Sequence, residues 1–446
     1  MAPRPRTGAL LMTMFPNRVV ALLLLTALAA NVVVRGIVPA ATRITSDFPS
    51  YFTAAKVVVA DRGNVARLYD IPWFQEQMRR YQAGTPEGKF SPFPPPTALL
   101  LVPLTPLRPL DALRVLTGVS VLCLIGSIVL LAGSLAWSTL DAAVLVLLSG
   151  SAILGALRLG QPYILVSASC ILGYYAYLRA RPKLAGACFG LFTPLKYFPV
   201  IFLVYFAFRR RWRVVVGGAV IILVIVLLSV ALLGWKIHEE FLTSVLGNHL
   251  AANLSLQDPF TARFQSFDTL YRRLFVYDAR RNPEPLIVAP ILCDVARLVT
   301  KGAIVLVALA ILIRQARAAG AAATSASLGL FGIVTLLIAP ATATYHLVLL
   351  WLPVALLIDT FLRARAPRCA YLLLGCYALI GFFPYAWTDP FEGHGALTVL
   401  AYPRLLLLLT MFALCVYCLW RPGGTSSTLP ERAAYAAAAG DSRESS

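Results

Sequence analysis

The sequence predicts an all-α polytopic membrane protein, and two observations support that prediction. Of the 446 residues, 59% are hydrophobic and only 13% are charged, whereas a soluble domain is about 25% charged. The Lys and Arg residues stand in short clusters between long apolar runs, which is typical of cytoplasmic loops. We therefore assign the net charge of +19 to membrane topology, and we expect membrane lipids, and no nucleic acid, as partners.

The apolar runs predict about 10–12 transmembrane helices, because a crossing needs about 20 residues. The first run resembles a signal peptide, but it continues to Val38 and many spans follow, so we expect it to remain uncleaved. Both termini are predicted to be cytoplasmic. The main predicted spans lie at about 19–38, 112–135, 140–157, 163–178, 214–233, 286–313, 328–339, 347–361, 371–385 and 397–420.

The domain prediction is a single membrane domain over 1–420, with outer loops at 40–96 and 234–285 and a disordered cytoplasmic tail at 421–446. The first loop contains two weakly amphipathic segments that suit helices lying on the membrane surface. The segment Leu184 to Phe208 has basic clusters at both ends. It is therefore predicted to be a re-entrant pair of half-helices, broken at Thr193 to Pro199 by two prolines.

Asp47 is the first carboxylate in the chain and follows the first span directly. Such a carboxylate could act as a base on a sugar hydroxyl. The alternative is a helix N-cap, because Asp before Phe-Pro-Ser is also a good helix start.

Other polar residues are predicted to reach the same outer face, among them Gln161, Lys196 and His346. Each has a structural alternative: Gln161 can cap a span, Lys196 can bind carbonyls freed by the prolines, and His346 can stabilise the turn before a long apolar helix. Ionisable groups within a membrane are functional by default. Their convergence on one face predicts a site.

The second outer loop interleaves arginines with aromatic residues, and it is either a solvated loop on lipid headgroups or a site for a lipid-carried phosphate, which Arg binds well. The candidate phosphate-binding residues are Lys196, Arg263, Arg272 and Arg273. We find no Gly-rich phosphate loop, no His/Cys cluster with metal-ligand spacing and no nucleophile elbow. We expect no cofactor and no metal.

The order of several short motifs resembles glycosyltransferase family 87, a GT-C family of polyprenyl-phosphate-sugar-dependent mannosyl- and arabinofuranosyltransferases. The residues that carry this resemblance are Asp47-Phe48-x-x-Tyr51, Leu68-Tyr69-Asp70, Phe93-x-Pro95-Pro96, Gly160-Gln161, Gly186-x-x-x-Gly190 with Lys196-x-x-Pro199, Phe264-Gln265-Ser266, and Ala339-Pro340 with His346. Together they extend from about 40 to 360.

The resemblance implies a GT-C-like fold and a multi-pass enzyme of the inner or plasma membrane, with its active site on the extracytoplasmic side. It implies transfer of mannose, or secondly arabinofuranose, from a polyprenyl-phosphate donor to a lipid-linked or envelope glycan, with inversion. It implies catalytic roles for Asp47, as the general base, and for His346, beside the donor phosphate. Substrate-binding roles fall on Tyr51, Asp70, Gln161, Gln265 and Ser266. The alternative function is a transporter or flippase for a lipid-linked saccharide, because broken helices are also transporter features.

Overall fold

The computed structural model describes residues 18–84, 87–250, 258–316 and 321–420. In these ranges the chain is helical, and the one β-type pairing is an isolated bridge between Asp278 and Asn282. The all-α prediction is therefore confirmed. The predicted disordered tail, 421–446, lies outside the described residues.

The described residues form α-helices, 3₁₀ segments and π segments. The α-helices are Arg18–Val32, Val38–Thr42, Phe48–Ala60, Ile71–Arg80, Pro109–Leu135, Thr139–Leu147, Ser151–Arg158, Tyr163–Leu178, Pro182–Leu191, Val200–Phe208, Trp212–Leu233, Trp235–Glu240, Leu246–Leu250, Phe267–Phe275, Pro290–Ala316, Ala321–Ile338, Trp351–Arg363, Pro367–Phe382 and Pro403–Trp420. The 3₁₀ segments are Arg62–Tyr69, Pro95–Leu99, Val102–Leu104, Thr344–Leu350, Tyr385–Phe391 and Gly395–Ala401, and the π segments are Val33–Ile37 and Phe241–Val245.

Within the described residues, six helices are long and apolar enough to cross a membrane, and the number rises to eight if each of two bent pairs is one span. This is fewer than the 10–12 predicted from the apolar runs. The difference lies in shorter apolar helices such as Tyr163–Leu178 and Thr324–Ile338, which the sequence prediction counted as crossings. The predicted span at 140–157 is one of the bent pairs, with an angle of 71° between Thr139–Leu147 and Ser151–Arg158.

The span Thr344–Arg363 is the central helix of the bundle. In its most apolar window 83% of the residues are buried, against 17% for Trp212–Leu233 and 22% for Val19–Thr42. The latter two helices expose Leu and Val side chains, as a surface in contact with lipid does. His346 therefore lies at the start of the most enclosed span.

The predicted re-entrant segment is broken where the sequence indicated, between Pro182–Leu191 and Val200–Phe208. The first half-helix packs so closely on Trp212–Leu233 that a Cβ at Gly186 would lie 1.8 Å from the carbonyl oxygen of Val214. This contact explains the Gly-x-x-x-Gly spacing, since small residues allow backbones to approach. The break itself places Lys196 and Tyr197 between the half-helices.

The first outer loop differs from the expectation of helices resting on the membrane surface. Phe48–Ala60 is a helix, but its residues 48–55 are all buried inside the protein. Phe48, Tyr51 and Phe52 pack against Leu101 and the Pro109–Leu135 helix. The weak amphipathicity of the sequence is therefore that of a helix with neighbours on nearly every side, and this helix fixes the position of Asp47.

Candidate active site

Asp47 stands at the N-terminus of the helix Phe48–Ala60, yet its side chain caps no backbone N–H of that helix. Its Oδ2 accepts a hydrogen bond from Nε2 of Gln161 at 2.7 Å, and its Oδ1 accepts one from Oγ of Ser46 at 3.2 Å. A carboxylate oxygen has two lone pairs, so both oxygens keep capacity for a further donor. Asp47 is also half-buried rather than enclosed, which leaves its carboxylate accessible to a substrate.

The loop that carries Gln161 reaches Asp47 because residue 160 is glycine. Gly160 has φ +63°, and a Cβ there would lie 2.8 Å from Cβ of Phe48. Thr45 also donates a hydrogen bond to the carbonyl of Arg158, so the loop is fastened to the start of the Asp47 helix at two points. Gly160 therefore allows the loop to approach the helix closely, and Gln161 then forms the hydrogen bond to Asp47.

Gln161 and Tyr51 connect Asp47 to Lys196. The phenol of Tyr51 donates to Oε1 of Gln161 at 2.7 Å, and Nζ of Lys196 donates to the same phenol oxygen at 2.9 Å. Tyr51, Gln161 and Lys196 are 0%, 2% and 6% exposed. A continuous buried network therefore runs from a carboxylate to an ammonium group.

The ammonium group of Lys196 is surrounded by aromatic rings. Its Nζ lies 4.2 Å from the ring centre of Phe93, 5.1 Å from that of Tyr163 and 5.2 Å from that of Tyr51. In the described part of the chain, Lys196 forms one hydrogen bond and no ion pair with a carboxylate. An ammonium has three donors, and burying a cation without a paired anion is costly. This environment favours an anionic ligand.

His346 lies beside the same rings. We call this set the aromatic group, which consists of Tyr51, Phe93, Tyr163, Phe198 and Tyr345. Its ring centre lies 4.6 Å from that of Tyr163, 5.1 Å from that of Phe198 and 4.7 Å from that of Tyr345. The backbone N–H of Ala343 donates to its Nδ1 at 3.1 Å. Nδ1 is therefore the acceptor, and Nε2 is left to carry the proton.

The electrostatics of Asp47 reflect its position. Burial raises the pKa of Asp47 above its ordinary value, while the hydrogen bonds from Gln161 and Ser46 and the charge of Lys196 lower it in part. A carboxylate with a raised pKa is a stronger proton acceptor. The arrangement therefore places a base at one end of the network and a cation at the other.

Comparison with known families identifies the chemistry of the chain as a whole. The family model of glycosyltransferase family 87 matches residues 92–340, more than half of the chain. The chain belongs to glycosyltransferase family 87. Comparisons with curated proteins and with solved structures give no match. The matched range contains Gln161 and Lys196, and Asp47 and His346 lie outside it.

Family membership makes the chain a membrane glycosyltransferase, as the sequence resemblance implied. The transporter alternative loses its support, because the matched family transfers sugars. The predicted roles of individual residues are a separate matter and follow from their surroundings.

Gln265 and Ser266 of this glycosyltransferase bind backbone groups. Gln265 donates through Nε2 to the carbonyls of Ala262 and Ala401, and its Oε1 accepts from the N–H of Arg404 at 3.0 Å. Ser266 donates through Oγ to the carbonyl of Pro340 at 2.8 Å. The N–H of Gln265 donates to the carbonyl of Thr342 at 2.9 Å. The motif therefore fastens the second outer loop to the segment that precedes His346.

The three loop arginines that were predicted to bind phosphate have different surroundings. Arg273 is buried, forms an ion pair with Glu392 and donates to the carbonyls of Phe260 and Arg281. Arg272 is half-buried and Arg263 is exposed. The contacts of Arg273 hold the loop together, and its predicted phosphate-binding role stays a prediction, as do those of Arg263 and Arg272.

Asp70 lies at the surface and stabilises local structure. It pairs with Arg67 at 2.8 Å and caps the helix Ile71–Arg80 by accepting from the N–H of Trp73 at 3.3 Å. These partners lower the pKa of Asp70. Its predicted substrate-binding role is untested, and its surroundings match a cap.

Sequence reasoning missed His249. This residue belongs to the second outer loop, in Leu246–Leu250, and its Nε2 forms a hydrogen bond with the phenol of Tyr197. Because Tyr197 follows Lys196 directly, His249 lies beside the aromatic group. The available signal was the scarcity of histidine, with only 4 in the chain.

Proposed function

We propose that this glycosyltransferase moves a sugar from a polyprenyl-phosphate donor to a lipid-linked or envelope glycan acceptor, with inversion at the anomeric carbon. Mannose is the favoured sugar and arabinofuranose the second. The observation that carries the proposal is the buried network in which Tyr51 and Gln161 join Lys196 to Asp47. It offers a cation for the donor phosphate and a base for the acceptor hydroxyl within one site.

The reaction needs one proton transfer. Asp47 removes the proton of the acceptor hydroxyl as that oxygen attacks the anomeric carbon. The new carbon–oxygen bond forms as the bond between the anomeric carbon and the phosphate oxygen breaks. The electron pair of the broken bond leaves with the polyprenyl phosphate. Because the phosphate leaves as an anion, it needs no acid, and Lys196 and His346 stabilise its charge.

The different surroundings of Lys196 and Asp47 support different roles for the two residues. Lys196 is buried among rings and carries N–H groups with no protein partner in the described part of the chain, so it suits a phosphate whose lipid chain continues into an apolar environment. Asp47 is half-buried, so its carboxylate suits a polar acceptor. Gln161 holds the carboxylate through Nε2, which keeps the base oriented.

The proposed side of the membrane is the extracytoplasmic face, since the Arg and Lys clusters favour cytoplasmic placement of the opposite ends. Single cysteines in place of Glu87 and Arg280, both exposed, test this in a variant that lacks the native cysteines. We expect an impermeant thiol reagent to label both from outside intact cells. Labelling that requires lysis at either position contradicts the arrangement.

Asp47→Asn tests the base. Asparagine has nearly the same shape and can also cap a helix, so folding and donor binding should persist, whereas turnover should fall about a hundred- to ten-thousand-fold. The measurement is sugar transfer by the purified variant, with labelled polyprenyl-phosphate-mannose and polyprenyl-phosphate-arabinose as separate donors.

The matched control is Glu76→Gln, which removes an exposed carboxylate of the same loop that pairs with Arg79 and should leave transfer nearly intact. The pH profile is a second readout. Because burial raises the pKa of Asp47, the wild-type rate should fall as the pH drops through a value above the ordinary carboxylate range. Near-normal turnover of Asp47→Asn ends the assignment of the base.

A further inference from the structure

The aromatic group around Lys196 has a histidine on its far side that the proposed reaction has not used. His249 is 8% exposed, and its ring centre lies 5.8 Å from that of Tyr197. Tyr197, the residue after Lys196, stacks on Phe198 with ring centres 5.2 Å apart, and the ring of Phe198 lies 5.1 Å from that of His346. Three nitrogen bases therefore border one set of aromatic rings, and among the described residues none of the three forms an ion pair with a carboxylate.

The two ring nitrogens of His249 are in different situations. Nε2 bonds the phenol of Tyr197, whereas Nδ1 is buried and has no hydrogen-bond partner among the residues that the structure describes. A buried polar atom without a partner costs stability, so its persistence requires an explanation. When the phenol donates to Nε2, the neutral ring carries its proton on Nδ1, and that N–H remains free for a ligand.

We propose that His249, held in place by Tyr197, is a third nitrogen donor to the phosphate of the donor substrate, beside Lys196 and His346. This inference rests on the proposed function, because it takes the anion to be a polyprenyl phosphate. The ligand chemistry follows from the donor set. One ammonium and two imidazole N–H groups match phosphate oxygens, and no carboxylate of the described residues is hydrogen-bonded to any of them.

The other histidines show what structural roles look like in this chain. Both ring nitrogens of His238 are bonded, Nδ1 to the carbonyl of Gly234 and Nε2 to Ser229. His394 is exposed and pairs with Glu284. His249 is neutral in the free protein, because burial and the charge of Lys196 lower its pKa to about 4. A bound anion would counteract the charge of Lys196 and so raise the pKa of His249.

The test is binding of polyprenyl monophosphate, without a sugar, to the purified full-length protein. His249→Ala should weaken binding about ten- to a hundred-fold, the effect of one lost hydrogen bond to a charged group. In the transfer assay, the KM for the donor should rise while the KM for the acceptor stays constant, a division that a purely structural role would not produce. Tyr197→Phe should weaken binding less, because His249 remains and only its orientation is lost.

The matched control is His394→Ala, which removes an imidazole from the surface and should bind as wild type does. Wild-type affinity in His249→Ala overturns the inference and leaves the proposed function standing. If His249→Ala lowers the melting temperature, Tyr197→Phe decides, and unchanged binding there overturns the inference too. A wild-type protein that neither binds polyprenyl phosphate nor uses its sugar esters refutes the proposed function itself.

Discussion

Two groups of predicted binding residues, both polar and largely buried, have opposite surroundings. In the Asp47 network, side chains bond one another, and Lys196 and Asp47 keep unused donors or lone pairs. In the second outer loop, Gln265 and Ser266 bond backbone carbonyls and N–H groups. The first group has hydrogen-bond donors and acceptors left for a substrate, whereas the second uses its donors and acceptors to hold the fold together.

The difference indicates how to interpret polar residues within a membrane protein. Backbone groups in irregular segments need partners where water is excluded, and the Gln265 side chain supplies them for Ala262, Ala401 and Arg404. Side chains that bond only to each other satisfy no such need. The donors and lone pairs that they leave unused cost free energy while buried, and for this reason we assign the proposed site to them.

Apart from the loss of the base, the largest effect in this comparison is expected for Lys196→Met, which removes the buried charge and nearly keeps the length of the side chain. Turnover should fall about a hundred- to a thousand-fold, as for loss of one group that stabilises a leaving anion. The melting temperature should hold or rise, since a buried cation without a carboxylate partner is destabilising. Transfer assays and thermal melts of purified protein measure both.

Lys56→Met is the control for that variant. Lys56 lies on the same helix as Tyr51 and contacts the ring of Phe52 at 5.5 Å, but it has no part in the network. Its substitution should change neither the turnover nor the melting temperature much. If Lys196→Met keeps full activity, the ammonium is structural, and the division between the two regions fails.

Sequence alone predicted much of the fold and part of the site. The apolar runs and basic clusters located most helices, and the prolines located the break that carries Lys196. The bend of the 140–157 span was not predicted, because hydrophobicity records burial and length but not direction. The burial of Phe48–Ala60 was missed for a similar reason, since its neighbours come from distant parts of the chain.

The sequence identified several polar residues as candidates for the site, but it did not reveal their hydrogen-bond partners. Gln161 and Gln265 were both predicted to bind substrate from short motifs, and nothing in a motif says whether an amide will meet a carboxylate or a carbonyl. His249 was overlooked because its partner, Tyr197, is 52 residues away in the chain. Pairings of this kind depend on tertiary structure.

The last prediction contrasts these two glutamines directly. Both are buried, with 2% exposure for Gln161 and 4% for Gln265, so leucine at either site replaces an amide by an apolar group of similar size. Gln265→Leu leaves two carbonyls and the N–H of Arg404 without their partner. It should lower the free energy of unfolding by about 1–3 kcal/mol, while the folded fraction keeps the wild-type donor KM.

Gln161→Leu should give the opposite pattern. The carboxylate of Asp47 loses the donor that orients it, so turnover should fall more than stability does. Denaturant unfolding and transfer assays on the two variants side by side measure the contrast. If both variants lose stability equally and keep equal activity per folded molecule, Gln161 is a structural latch like Gln265. The Asp47 network would then lose its claim to be a site, since its central hydrogen bonds would serve only the fold.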